Sequence, residues 1–357
     1  MRVPTEPELD LLLAALGSTE DALPAWQRWR TDHRLEDCEY LSHCLLSLIY
    51  RRLPQDWVSP ADRSILRGLY RYQWTRNQLV SRSATLLLGH FYDEGIEAIV
   101  LNGLTLAHLA YQDLGIRPLQ NLALLVRPSC LGKALKVLES AGWSATQTVD
   151  VAKNHCWFSS LTHPYLQLHW YASEESRWAE SDQDFWQSSR SFRLDSLEAR
   201  ALSPAHQLLQ LLIQEGSPLV WVTDACILLD SEDGLDWTGF LESTRRRRST
   251  LIVASRLRWL HQEMKRVVPE SVFWALAAIP VSWNDRLYYQ SKVLGRNDGP
   301  VLLRLYLHYL RTERPAWGGN LPGFFHFLLR RWQLRSVWHL PGRAWRALSR
   351  RFEGNCN

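Results

Sequence analysis

Apolar residues fall at helical spacing over the first ninety-odd positions, then in short β-prone runs, then at helical spacing again. PELDLLLAALG reads as a helix ending on Gly17, which is expected to adopt left-handed geometry as its cap. DCEYLSHCLLSLIYRRL, from Asp37, repeats its apolar residues with helical period and predicts another helix. From Ser59 to Gly95 the signals are stronger. Ser59 suits an N-cap, Pro60 the first helical position and Asp62 the third, and Gly95 a stop. Polar and apolar residues interleave over many turns between them, which predicts one long helix packed on one side.

The texture then changes. IEAIVL (96–101) is β-prone and runs into a turn at NG, LTLAHLAYQ continues as a helix, and LGIRP is a turn. LQNLALLV predicts a second strand, and PSCLGKALKVLESAG a helix closed by Gly142. WSATQTV, HCWFSS and YLQLHW are further strands. This order describes a small α/β (α+β) sheet domain. Helices return at SPAHQLLQLLIQ, with Ser203 and Pro204 in the N-cap and first positions, and VWVTDACILLD follows. Later helices are predicted over 251–266, 271–278, 284–294 and 300–312. The chain thus divides into an N-terminal helical region (1–94), a sheet domain (95–200), a C-terminal helical region (201–320) and a basic aromatic tail (321–357).

Length and composition narrow the class without naming it. At 357 residues the chain exceeds one small core, so two or three subdomains are expected. A net charge of +4 does not select nucleic acid, and arginine-rich RRRR at 245–248 has neither aromatic nor helix-turn-helix context, so it reads as a solvated face or loop. Eighteen tryptophans fit interfaces and a GC-rich genome equally well. Cysteines 38, 44, 130, 156, 226 and 356 show no CxxC pairing, which argues against a disulfide framework or zinc ribbon and suits a reducing compartment. His155, Cys156, His163 and His169 have ligand chemistry but no zinc spacing, so no metal site is expected among them. The start carries acids and too short an apolar run for a secretory signal, and no stretch approaches the ~20 apolar residues of a membrane span. A cytoplasmic protein is expected, with membrane contact at most peripheral.

Several short texts stand in a telling order: IVLNGLTLAHLAYQDLGIRPLQNLALLV, then ALKVLESAGW, LQLHW and WVTDACILL. Over roughly residues 90–230 this resembles an uncharacterised bacterial nucleotidyltransferase-like family of the polymerase β-type superfamily, with a weaker echo in LPGFFHFLLRRWQLR. The resemblance implies a mixed-sheet nucleotidyltransferase-like domain flanked by helical regions. In such enzymes two Mg²⁺ ions bridge the triphosphate and stabilise both oxygens of an in-line displacement. Asp-x-Asp on a strand puts two carboxylates on one sheet face, and a third acid on a neighbouring strand completes a cage of hard oxygen ligands.

Carried over position by position, the three acids correspond to Asn121, Ala123 and Gln167, and the lysine of the first turn to Asn102. Gly103, Arg117, His169 and Asp224 match the family pattern. The resemblance therefore implies a nucleotide- or phosphate-binding set of Asn102, Gly103, Thr105 and Arg117, without the metal acids of catalysis. Gly103 reads either as a phosphate-approach glycine or as a turn glycine, and Arg117 either as an anion ligand or as the partner of a carboxylate. His169 and Asp224 read as structural, Asp224 by pairing with Arg117 or capping a helix. Asp93, Asp113 and Asp150 are nearby acids that lack the i, i+2 arrangement. The expectation is an accessory or nucleotide-binding protein in bacterial cell-envelope polysaccharide or peptide modification, with no cofactor and with a protein partner. One alternative is an active Mg-dependent nucleotidyltransferase with a rearranged acid set. Another is a peripheral adaptor on anionic membrane: in the tail, Trp345, Leu348 and Phe352 fall opposite Arg343, Arg346 and Arg350 on a helix.

Overall fold

The computed structural model describes residues 4–38, 42–151, 153–174, 178, 180–214, 216–231, 234–293, 301–312 and 321–332. Four helices come first: α1 (Glu6–Leu16), α2 (Thr19–Asp32), α3 (His43–Arg52) and α4 (Pro60–Asp93). Strand β1 (Ala98–Val100) follows, then α5 (Gly103–Thr105), which passes into a π-helical turn (Leu106–Ala110). After β2 (Leu122–Val126) and α6 (Leu131–Ser140) come β3 (Ser144–Ala145), β4 (His155–Ser159) and β5 (Leu166–His169). Helix α7 (Gln183–Gln187) leads to the hairpin β6 (Arg190–Leu194) and β7 (Leu197–Ala201). The rest is helical: α8 (Pro204–Ile213), α9 (Pro218–Leu229), α10 (Trp237–Arg246), α11 (Thr250–Glu263), α12 (Glu270–Ala278), α13 (Trp283–Val293), α14 (Val301–Thr312) and α15 (Leu321–Trp332). The architecture is mixed α/β, a seven-stranded sheet between helical regions, as the sequence predicts.

Strand order is β3-β4-β5-β2-β1-β7-β6. The β2–β5 and β1–β7 pairs are parallel and the others antiparallel. Alternation of side chains splits the central strands between two cores. Leu122, Leu124 and Val126 pack with the C-terminal half of α4 and with α6. Ile99, Leu101, Ala123 and Leu125 face the other way, into a larger core shared by α1–α3 and α8–α12. Helices α1–α3 and α8–α12 thus lie on one face of the sheet, and the C-terminal half of α4 with α6 on the other. A third, small cluster joins Tyr309 of α14 to Phe324, Phe327 and Leu328 of α15.

Local chemistry accounts for the best-defined ends. The Asp62 N–H donates to Ser59 Oγ at 3.1 Å to start α4, and the His206 N–H donates to Ser203 Oγ at 3.4 Å to start α8. Gly95 (φ +66°) and Gly142 (φ +81°) take left-handed geometry beyond α4 and α6. Gly17 does not. Its backbone is extended (φ −64°, ψ 173°), and glycine is required there because a Cβ would lie 2.5 Å from the Leu13 carbonyl oxygen. The hairpin β6–β7 turns at Asp195 in left-handed geometry (φ 52°), which aspartate tolerates better than most residues. WSATQTV contributes only the two residues of β3.

The arginine run 245–248 is not a uniformly solvated face. Arg247 is only 2% exposed. Its Nη1 and Nη2 donate to Asp184 at 2.5 and 2.8 Å, Nη2 also reaches Asp182 at 3.4 Å, and the guanidinium lies 3.8 Å from the Phe185 ring centre. Ser243 donates to the same Asp184 and stands 2.8 Å from His206 Nε2, so α7, α8 and α10 are fastened through one buried polar cluster. Arg248 pairs with Asp285 of α13 at 2.9 Å. No described helix is long and apolar enough to cross a membrane. The tail residues Arg343, Trp345, Arg346, Leu348, Arg350 and Phe352 lie outside the described residues.

Removing one partner from a buried ion pair leaves the other charge uncompensated, at a cost of about 3–5 kcal/mol. Arg247→Ala is therefore expected to lower the urea unfolding free energy by roughly that amount, whereas exposed Arg245→Ala should stay within about 0.5 kcal/mol. Equal behaviour of the two variants would contradict a buried role for Arg247.

Candidate functional site

Between the sheet and α9 lies a cavity of about 170 Å³. It gathers the positions singled out from the sequence. Asn102 and Gly103 come from the turn after β1, Arg117 from the loop before β2, and Asn121 and Ala123 from β2 and its approach. Gln167 projects from β5 and Asp224 from α9. Parallel pairing sets Ala123 beside Gln167 on one sheet face, the relation that the expected acidic positions require.

Asn102 ends β1 with φ 49° and ψ −113°, a backbone that a side chain rarely adopts and that marks a sharp exit from the strand. Gly103 begins α5. A Cβ there would sit 2.5 Å from Arg117 Nη1 and 3.0 Å from Leu119 Cδ2, so its bare backbone is what lets Arg117 lie across the turn. Thr105 does not reach the cavity. It is buried, and its hydroxyl donates to the Asn102 carbonyl at 2.8 Å, which fastens the turn from behind.

Arg117 is committed to Asp224. Nε and Nη2 donate to the two carboxylate oxygens at 2.8 Å each, and Tyr111 Oη donates to Oδ1 at 2.7 Å. Both charged side chains are nearly buried, at 11% and 2% exposure. Burial disfavours the Arg117 charge, but the adjacent Asp224 carboxylate outweighs it and pushes the guanidinium above its usual range. Burial first, and Asp224 second, push the Cys44 thiol at the cavity wall up to about 12 and the Tyr111 phenol well above its usual value. The π-helical turn matters here: the Tyr111 N–H bonds to the Leu106 carbonyl, a five-residue step that carries the phenol to α9.

Two positions that the sequence reading did not identify hold this geometry. Asn77, fully buried in α4, donates to the Leu114 and Arg117 carbonyls at 2.6 and 2.7 Å and accepts from the Leu119 N–H at 3.1 Å. It clamps the loop that carries Arg117. A polar residue on the apolar stripe of a long helix was the available signal. Tyr111 is the other, with only its aromatic-hydroxyl character to mark it.

The nearby acids are placed elsewhere. Asp113 accepts from Tyr70 Oη at 3.0 Å and from the Gly115 N–H at 2.8 Å, and pairs with Arg51 at 3.3 Å. Asp93 is exposed at the end of α4, and neither it nor Asp150 lines the cavity. His169 is buried two residues beyond Gln167, its ring centre 5.0 Å from that of His155. Burial, reinforced by His155, lowers it to about 3, so it is neutral at physiological pH.

Magnesium requires oxygen ligands in near-octahedral array and is held in proteins chiefly by carboxylates and substrate phosphates. The cavity offers the neutral amides of Asn102, Gln120, Asn121 and Gln167, and one carboxylate whose two oxygens already accept three hydrogen bonds. Among the described residues, no three His, Cys, Asp or Glu side chains converge as a metal site. The charges of Arg117 and Asp224 cancel, leaving no anionic field for two divalent cations. The residues present do not fit a magnesium pair.

Asp224→Ala would strand Arg117 in the interior, so a loss of about 3–5 kcal/mol is expected in denaturant unfolding. Replacing both partners, Arg117→Met with Asp224→Leu, should recover most of it. If the double variant is as unstable as the single one, the pair is not the source of the loss.

An antigenic nucleotidyltransferase-like protein from Paracoccidioides brasiliensis is 12% identical, with a TM-score of 0.39, the match covering 55% of this chain and 97% of that one. The antibiotic-resistance factor ANT(2'')-Ia is 14% identical, with a TM-score of 0.31, over 54% of this chain and 97% of its own. No curated protein matches the chain. The profile of a family described as an uncharacterised nucleotidyltransferase matches residues 41–264, from the approach to α3 through α11. With well over half its length matched, the chain belongs to this nucleotidyltransferase family.

Proposed function

We propose that this protein uses the nucleotidyltransferase scaffold as a metal-independent binding module for a nucleotide-derived ligand, and that it acts as a non-catalytic accessory subunit in cell-envelope polysaccharide or peptide modification. The observation that carries the binding reading is the charge state of the cavity. Its acid positions hold Asn121, Ala123 and Gln167, and its one carboxylate is bound by Arg117 and Tyr111. Transfer of a nucleotidyl group asks the protein to neutralise charge spreading over phosphate oxygens, and in this superfamily metal ions do that.

The same pairing decides what part of a nucleotide the site favours. A phosphate competing for Arg117 would have to displace Asp224 and leave that carboxylate buried without compensation. Phosphate is therefore a poor match to Arg117 as it stands. Neutral amides suit hydrogen bonding to an uncharged polar ligand, since each offers a donor and an acceptor. The reading thus keeps the cavity as a binding site and moves its selectivity from the phosphates to the uncharged portion of the ligand.

Calorimetric titration with ATP, CTP, GTP and UTP, each in magnesium and in EDTA, tests this reading together with a pyrophosphate-release assay. Binding whose affinity is the same in EDTA, with no pyrophosphate formed, is expected. Tight binding that appears only with magnesium and is accompanied by pyrophosphate release would establish an active transferase with a rearranged acid set instead.

A further inference from the structure

The cavity borders a second feature that neither the family match nor the acid positions explain. Strand pairing continues the row Ala123–Gln167 outward to Trp157 of β4, the antiparallel partner of Gln167. Directly opposed residues share a sheet face with Cβ atoms about 4.5–5.5 Å apart. An indole therefore stands immediately beside the outermost amide of the cavity.

Trp157 is half-buried, yet among the described residues it packs into none of the three hydrophobic clusters. Large aromatics on interior-facing strand positions ordinarily supply core area, and this one does not. His155 meets it edge-on, with ring centres 6.3 Å apart and planes 82° apart, a contact that positions an indole without covering it by stacking. Beside it, the Gln167 side chain makes no hydrogen bond to any described residue. Asn102 Oδ1 is buried without a partner, and Asn121 Nδ2 reaches only the Leu122 carbonyl, at 3.5 Å. A buried amide oxygen without a partner requires an explanation, and at a cavity wall a ligand donor supplies one.

We infer that Trp157 and Gln167 form a nucleobase subsite, in which the base of a nucleoside stacks on the indole and presents its hydrogen-bonding edge to the amides of Gln167, Asn121 and Asn102. Glutamine and asparagine amides pair bidentately with a base edge, and stacking on an aromatic side chain accepts any base through its π-face. Ala123, on the other side of Gln167 in the row, has no side chain beyond its methyl and leaves the cavity open there. A cavity of about 150 Å³ holds a benzene ring, so the 170 Å³ here has room for one aromatic ring. This inference rests on the metal-independent binding reading and adds the part of the ligand that is recognised.

The test is titration of adenosine, guanosine, cytidine and uridine in EDTA into the wild-type protein, Trp157→Ala, Trp157→Phe and Gln167→Leu. At least one nucleoside should bind the wild type within a few-fold of its triphosphate. Trp157→Ala should weaken it by roughly 5- to 150-fold, the range found for base–aromatic stacking, while Trp157→Phe keeps most of the affinity. Gln167→Leu should change the preference among the four bases. Metal-free binding that is indifferent to Trp157 and Gln167 would overturn the subsite and leave the binding reading standing. Absence of any nucleoside or nucleotide binding in EDTA would overturn both. Should Trp157→Ala fail to fold, photocrosslinking of wild-type protein with 8-azidoadenosine decides the matter: label within 155–169 supports the subsite, and label confined elsewhere overturns it.

Discussion

Arg117 and Asp224 meet where the loop before β2 touches α9, and the rest of the site is built around that contact. Taking two charges out of water is costly, and a buried pair is tolerated only when its geometry is good and the spare lone pairs find donors. Both conditions hold here: the guanidinium forks onto both carboxylate oxygens, and Tyr111 supplies the further donor. Gly103 is bare so that the guanidinium can pass, Asn77 holds the Arg117 loop by three backbone hydrogen bonds, and the π-helical turn delivers the phenol. Four separate segments, from α4, the β1 turn, the β2 approach and α9, are thereby fixed relative to one another.

The electrical consequence extends to chemistry. A closed ion pair contributes almost no net field to its surroundings, and the other polar groups on the cavity wall are amides. A site of this kind cannot gather divalent cations by charge, and its arginine is not available to a phosphate without disrupting the fold. On the proposed reading, its shape and hydrogen-bonding capacity select ligands by their uncharged edges. On this account the turn, loop and strand geometry of the family still forms a cleft, with Asn121, Ala123 and Gln167 on its wall.

Much of the frame was legible because it depends on local chemistry. Ser59, Pro60 and Asp62 start a helix through one side chain and one fixed φ, and Gly95 and Gly142 end helices by adopting left-handed geometry. The convergence of Asn102, Arg117, Asn121, Gln167 and Asp224 was legible only through the order of their surrounding texts. Periodicity alone does not bring β5 beside β2. The rest depends on partners distant in sequence. Asn77 looks like an interruption of an apolar stripe until the loop some forty residues later closes on it. Arg247 looks like one of four solvated arginines until Asp182 and Asp184, more than sixty residues earlier, turn it inward. The hairpin β6–β7 escaped reading because RSFRL and LEARA carry charged residues, and only strand–strand pairing reveals which of their side chains face inward. Gly17 shows the converse error, a correct helix end assigned to the wrong property of glycine.

Manganese titration followed by electron paramagnetic resonance measures the central electrostatic claim most directly, since free and protein-bound Mn²⁺ are distinguished in the presence of a nucleoside triphosphate. The account predicts that adding the protein to a mixture of Mn²⁺ and ATP leaves the metal spectrum that of the metal–nucleotide complex alone, with no further site per chain at micromolar affinity. Two Mn²⁺ ions held per chain, coupled to each other through a shared bridging ligand, would contradict it.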